Sequence, residues 1–263
     1  MPLLFRDSRR EIGEPPGGPH CIALTTEQYM ELPRVNNHQS TLGDDIEIVV
    51  AELVASKEEV DAARRLLSAD ERQRADRFVF ERDRVSFTLA RAELRRLLGT
   101  RLDTRAEHVE FDYGPRGKPE LAHRFKQSNL RFNLSHSDEV AVYAICTGRE
   151  VGADVEAIRE ISDRDDLVAH CFSEREIQMY QDLEEGQKTA GFYRCWTRKE
   201  AFVKALGDGL QYPLKNFDVT LWPDDAANFL RIGERVGPDC GWDLCSITPR
   251  PGFIGAIAVQ SST

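Results

Sequence analysis

Several patterns are missing from this sequence, and each absence removes a class of protein. Six cysteines (Cys21, Cys146, Cys171, Cys195, Cys240 and Cys245) are scattered with no Cys-x-x-Cys spacing, and no histidine pair stands at zinc-ligand spacing. Reduced thiols in a cytoplasmic protein are the simplest reading. Cys146 and Cys195 lie in apolar patterns and read as core residues. No apolar run approaches the roughly 20 residues of a membrane helix, so no membrane partner is expected. Met1 to Arg10 carries Arg6, Arg9 and Arg10 without an apolar stretch behind them, which argues against a secretory signal. Basic charge is in deficit: 35 Lys and Arg against 45 Asp and Glu give a net charge of −10, unlike a general nucleic-acid binder. Low-complexity tracts and short repeats are absent too. What remains is a 263-residue chain, 41% hydrophobic and 30% charged, long enough for one large or two smaller soluble domains.

Residues 1–45 read as a loop-rich N-terminal extension, because Glu14-Pro15-Pro16-Gly17-Gly18-Pro19 continues neither helix nor central strand. A strand is expected over Ile46–Leu53 and a helix over 58–67. Ser68 with Glu71 three residues on forms a capping box for the next helix. A long amphipathic helix is expected from Arg82 to Leu98, ended by Gly99. Both of these latter segments are rich in arginine, which a solvated face would explain. Leu130–Leu134 and Val140–Cys146 read as strands joined through a polar Asn133-Leu134-Ser135-His136-Ser137. That stretch suits either an Asx/Ser turn or a cluster of donors aimed at an anion. Helices are expected at Asp165–Cys171, Ser173–Asp182 and Gln187–Leu206, then strands near Phe217–Leu221, Gly241–Thr248 and Phe253–Val259; 224–235 is ambiguous. The order strand, helices, strands occurs in 46–149 and again in 150–263. The reading is therefore α+β: two similar halves with a ligand site at their interface.

The residues that carry chemistry fall in a few places. In Val151-Gly152-Ala153-Asp154-Val155-Glu156, a strand puts Asp154 and Glu156 on one face. Two such carboxylates either end in water or repel when buried, a conflict that a divalent cation with hard oxygen ligands would resolve. Glu200 and Lys204 share a helix face with Trp196 near; alone, that pair is a solvent contact of about 0.2–0.5 kcal/mol. Tyr113-Gly114-Pro115-Arg116-Gly117-Lys118-Pro119 is a turn with two cations that could meet phosphate. His136 has no nucleophile and acid arranged around it, so no hydrolase triad is read.

Four segments in order resemble the Sfp-type 4′-phosphopantetheinyl transferases: Gly117-Lys118-Pro119, Asn133-Leu134-Ser135-His136-Ser137, Gly152-Ala153-Asp154-Val155-Glu156, and Trp196-Thr197-Arg198-Lys199-Glu200-Ala201-Phe202-Val203-Lys204-Ala205-Leu206-Gly207-Asp208-Gly209-Leu210. The resemblance runs from about Ile46 to Val259 and leaves out residues 1–45. It implies a monomer of two pseudo-twofold α+β halves with coenzyme A and Mg²⁺ in the cleft between them. It implies transfer of the phosphopantetheine arm to a serine of an apo acyl or peptidyl carrier protein, releasing adenosine 3′,5′-bisphosphate. Carried over by position, Asp154, Glu156 and Glu200 hold Mg²⁺, and Lys204 lies near the pyrophosphate. Asn133, Ser135 and His136 meet the nucleotide end of coenzyme A. Arg116 and Lys118 form a basic loop near the same ligand, and Arg74 is placed at the 3′-phosphate. Glu200 and Lys204 are the catalytic candidates; the base is Glu200 or a water held by it or by the metal, with Glu176 as a second choice. The carrier is expected to dock through a local apolar patch with a few arginines. Fatty-acid, polyketide and nonribosomal-peptide carriers all stay open. So do two other readings, a Mg²⁺-dependent phosphodiesterase and a catalytically silent binding module.

Overall fold

The computed structural model describes residues 42, 45–207, 212–237 and 240–262. Of residues 1–45, read as a loop-rich extension, all but Leu42 and Asp45 lie outside the described residues, as do the motif residues Asp208, Gly209 and Leu210. The chain begins with strand β1 (Ile46–Glu52) and helices α1 (Lys57–Leu66), α2 (Ala69–Ala75) and α3 (Glu81–Arg101). A short hairpin, β2 (Phe111–Tyr113) and β3 (Pro119–Leu121), precedes β4 (Leu130–Ser137), β5 (Val140–Thr147) and β6 (Val151–Ala157). Then come α4 (Arg164–Cys171), α5 (Glu174–Gln181), α6 (Glu185–Leu206), β7 (Phe217–Val219), β8 (Phe229–Ile232), β9 (Arg235–Val236), β10 (Trp242–Ile247) and β11 (Phe253–Gln260). Among the described residues no helix is long and apolar enough to cross a membrane.

Two three-stranded antiparallel sheets, ordered β1-β5-β4 and β10-β11-β6, form the centre of this α+β fold. Side chains alternate across each strand, so each sheet has two faces to bury. The outer face of the first sheet (Val49, Ala51, Tyr143, Ile145) packs on α3 through Leu89, Leu94 and Leu98. The outer face of the second (Ala256, Ala258) packs on α6 through Ala201, Phe202 and Ala205. The two inner faces meet: Ile48, Val50, Val142 and Ala144 lie in one cluster with Val151, Ala153, Val155, Ile257 and Val259. The layers therefore run helix, sheet, sheet, helix. Burial on both sides explains why the strands read as near-continuous apolar runs rather than clean alternations.

The structure corrects several expectations. Gly99 does not end α3; the helix runs on to Arg101. A Cβ at Gly99 would stand 2.8 Å from the Thr104 carbonyl oxygen, so this glycine lets the returning chain pass close. Arg91 and Arg95 of the same helix are not on a solvated face. Both are buried and reach the buried Glu71, Arg91 Nε at 2.8 Å and Arg95 Nε at 2.7 Å. Burial works against the Glu71 charge, but the two guanidinium groups outweigh it and hold the carboxyl below its usual range. Asn133 to Ser137 is no turn. It is the second half of β4, and the chain reverses at Asp138, whose φ is +48°. The ambiguous stretch 224–235 contains β8.

Candidate functional site

The site is built where the edge strands β4 and β6 of the two sheets meet beneath α6. On β6 the odd-numbered residues enter the core between the sheets, which leaves Gly152, Asp154 and Glu156 facing α6. Gly152 lets the helix lie directly on the strand. A Cβ there would fall 2.9 Å from Ala205 Cα and nearer still to Ala201 O and Ala205 N. Ala201 and Ala205 supply the matching small side chains on α6. Glu200 and Lys204, one helical turn apart beside them, are thereby held over the β6 acids.

The Lys204 ammonium lies 2.5 Å from Asp154 Oδ1 and 3.0 Å from Ser135 Oγ. Ser135 donates its proton to the same Asp154 oxygen at 3.0 Å, and Ser137 donates to Glu156 Oε2 at 3.0 Å. Asp154 Oδ2 and Glu200 Oε1 are buried and have no hydrogen-bond partner. One ammonium thus faces three carboxylates. Burial, then the Asp154 charge, pushes both the Glu156 and the Glu200 carboxyl up to about 7. Burial pushes Asp154 up as well, against the pull of Lys204. Burial also disfavours the charge on Lys204, but Asp154, Glu200 and Glu156 outweigh it and keep the ammonium above its ordinary range.

Among the described residues no three His, Cys, Asp or Glu side chains are drawn together closely enough to enclose a metal. The donor set nevertheless fits a hard divalent cation. Two buried carboxylate oxygens lack partners, and two carboxyls are pushed toward protonation by burial and their neighbours' charge. A cation held by Asp154, Glu156 and Glu200 would relieve both.

The other expected ligand contacts divide. His136 stands on the opposite face of β4 from Ser135, exposed toward the α2–α3 side. Its imidazole is held below the usual histidine range, by the surrounding protein first and next by Lys204. Asp83 and Arg74 also act on it, which places Arg74 within electrostatic reach. Arg116 is exposed on the β2–β3 turn. Three residues expected at coenzyme A make contacts within the protein. Asn133 is buried and its Oδ1 accepts the Ala153 N–H at 3.0 Å. Ser135 has one proton and two lone pairs; Asp154 takes the proton, and Val155 N–H and Lys204 take the lone pairs. Lys118 donates to the Ala205 carbonyl at 2.8 Å and to Glu150 at 3.4 Å, so it ties the hairpin to the last turn of α6.

Glu176 is removed from the choice of base. It and Lys199 are both 0% exposed, paired at 2.8 Å, and Glu176 also accepts from Ser173 N–H and Val219 N–H. Lys199 donates to the carbonyls of Leu214 and Phe217, at 2.8 Å each. This pair fastens α5 and β7 to the residue next to Glu200, and nothing in the sequence beyond the capping box at Ser173 announced it. Lys199→Ala strands a buried carboxylate, so chemical denaturation is expected to show a loss of about 3–5 kcal/mol; a loss below about 1 kcal/mol would contradict the role of the pair as a buried tie.

Residues 150–242 match the family model of the 4′-phosphopantetheinyl transferase superfamily, and residues 53–148 match that of the 4′-phosphopantetheinyl transferase N-terminal region. The chain is 36% identical over 232 residues to the 4′-phosphopantetheinyl transferase HetI of Nostoc sp., covering 88% of this chain and 94% of that protein. It is 31% identical over 151 residues to the 4′-phosphopantetheinyl transferase gsp of Aneurinibacillus migulanus, covering 57% and 60%. To the human L-aminoadipate-semialdehyde dehydrogenase-phosphopantetheinyl transferase it is 29% identical over 167 residues, covering 60% and 54%.

Proposed function

Because this chain belongs to the 4′-phosphopantetheinyl transferase superfamily and is a transferase, we propose that it moves the phosphopantetheine arm of coenzyme A onto a serine of an acyl or peptidyl carrier protein. The observation that carries this reading is the pair of buried carboxylate oxygens left unpartnered, Asp154 Oδ2 and Glu200 Oε1, beside the Lys204–Asp154 contact at the seam of the two sheets. Asp154, Glu156 and Glu200 would hold Mg²⁺ there. The cation would neutralise the pyrophosphate and polarise the phosphorus under attack.

The chain's own residues do the rest. Glu200 takes the proton of the carrier serine as its oxygen attacks the phosphorus bearing the pantetheine arm. The bond from that phosphorus to the bridging oxygen breaks, and the electron pair leaves with adenosine 3′,5′-bisphosphate. Lys204, with a raised affinity for its proton, offsets charge on the departing phosphate. His136, Arg74 and Arg116 face the nucleotide end. Asn133, Ser135 and Lys118 act on the protein side, holding β6 and α6 in place.

The test is the intact mass of a purified apo carrier protein after incubation with this chain, coenzyme A and Mg²⁺. The expected result is a gain of one phosphopantetheine arm that EDTA abolishes. Hydrolysis of coenzyme A with no gain on the carrier would replace the reading with a phosphodiesterase. Binding of coenzyme A with neither reaction would leave a binding module.

A further inference from the structure

β4 presents a row of three polar side chains to the edge of β6, and the row has a regular logic. Asn133, Ser135 and Ser137 are two apart on one strand face, the face that Val140, Val142 and Ala144 share on β5. Each meets an edge N–H of β6: Ala153 to Asn133 Oδ1 at 3.0 Å, Val155 to Ser135 Oγ at 3.3 Å, and Ala157 to Ser137 Oγ at 3.1 Å. The edge of one sheet is thus satisfied by side chains of the other rather than by a backbone ladder. The two serines do more, because a hydroxyl both accepts and donates. Ser135 accepts from Val155 N–H while donating to Asp154; Ser137 accepts from Ala157 N–H while donating to Glu156. Each hydroxyl is bonded to the carboxylate of one β6 residue and the amide of the next. That pair of bonds fixes where the acid side chain can swing.

Resting on the proposed Mg²⁺-dependent transfer, we infer that Ser137 is a positioning residue for Glu156. It holds the Oε2 atom against β4 so that the carboxylate stays beside Asp154, and Ser135 does the same for Asp154 through Oδ1. Removing the Ser137 hydroxyl releases the longer, more flexible Glu156 side chain to turn away from Asp154, whose charge repels it. Hydrogen-bonding partners of metal ligands typically govern affinity in this way, by about 10–100-fold.

The experiment titrates Mn²⁺, followed by the electron paramagnetic resonance signal of the free ion, into the full chain in the presence of coenzyme A. Ser137→Ala is expected to raise the Mn²⁺ dissociation constant about tenfold, and Ser137→Thr, which keeps the hydroxyl, to stay within about twofold of the parent. Glu156→Gln weakens binding by itself, and adding Ser137→Ala to it is expected to weaken it no further. Parent-like Mn²⁺ binding by Ser137→Ala would overturn the inference and leave the proposed transfer standing. A full additional loss on top of Glu156→Gln would also overturn it, since Ser137 would then act only through the seam. If the parent chain itself bound no Mn²⁺ alongside coenzyme A, both the inference and the metal-dependent reading would fall.

Discussion

Glu200→Gln should lower the rate of carrier modification by about 10²–10⁴-fold, the range for removing a positioned general base, while making the protein more stable at alkaline pH. The two effects share one cause. Glu200 is held partly buried beside Asp154, and its carboxyl is pushed up to about 7 by burial and then by that charge. Between its ordinary range near 4.5 and about 7, the folded chain binds a proton at this position that the unfolded chain has released. Stability therefore falls as pH rises through that window, and the cost is fully present above it. Glutamine carries no charge to repel, so the variant escapes the cost. In metal-free buffer the variant should exceed the parent above pH 7 by on the order of a few kcal/mol, with the difference fading below about pH 4.5. Denaturation curves at pH 4 and pH 8 read the stability arm, and initial rates of carrier mass shift read the catalytic arm. A variant that transfers as fast as the parent would remove Glu200 from the mechanism. A variant that is slow and also destabilised at pH 8 would mean the side chain supports the fold instead.

The second large effect should come from a residue with no chemistry of its own. Gly152→Ala adds one methyl group, and no nearby space exists for it. The new carbon would stand 2.9 Å from Ala205 Cα and closer to two other backbone atoms of α6, Ala201 O and Ala205 N. Helix backbone cannot rotate aside as a side chain tip can, so α6 must lift from β6 as a body. Glu200 and Lys204 ride on α6, and Asp154 and Glu156 stay on β6. A displacement of about 1 Å in a reacting array can cost about 100-fold in rate, and overpacking of this kind typically costs about 1–3 kcal/mol. Both kcat/KM and the denaturation midpoint should therefore fall. Gly186 gives the control on the same helix: nothing lies within 4 Å of a Cβ there, and Gly186→Ala should leave the rate unchanged while gaining up to about 1 kcal/mol of helix propensity. Parent-like transfer by Gly152→Ala would show that the helix-to-strand distance does not set the site.

Much of this protein is legible in its residues taken in order. Alternation on a strand is enough to put Asp154 and Glu156 on one face, and helical spacing is enough to pair Glu200 with Lys204. Both rules are local, and both elements form as expected, β6 over Val151–Ala157 and α6 over Glu185–Leu206. Ser173 and Glu176 likewise form their capping box, with reciprocal bonds of 3.2 and 2.8 Å. Local rules fail where they meet a distant partner. Gly99 has the composition of a helix stop, yet the surrounding chain needs its missing Cβ more than the helix needs an end. Asn133 to Ser137 has the composition of a turn, yet its polar side chains complete the edge of another strand. Arg91 and Arg95 look like surface charge until Glu71, some twenty residues earlier, is folded against them.

The sequence by itself determined which residue types would share a face, because the periods of helix and strand depend only on backbone geometry. It determined the family as well, through motif order. Tertiary structure alone decided which faces meet. It set Asp154 against Lys204 and Ser135, sealed Glu176 away with Lys199, and turned Lys118 onto the end of α6. Those pairings join residues 19 to 87 positions apart, and burial of the apolar faces between the sheets and under α6 is what brings them together. A charge pattern written along one strand cannot state how far the next helix will stand above it; here that distance follows from a glycine on β6 and two alanines on α6.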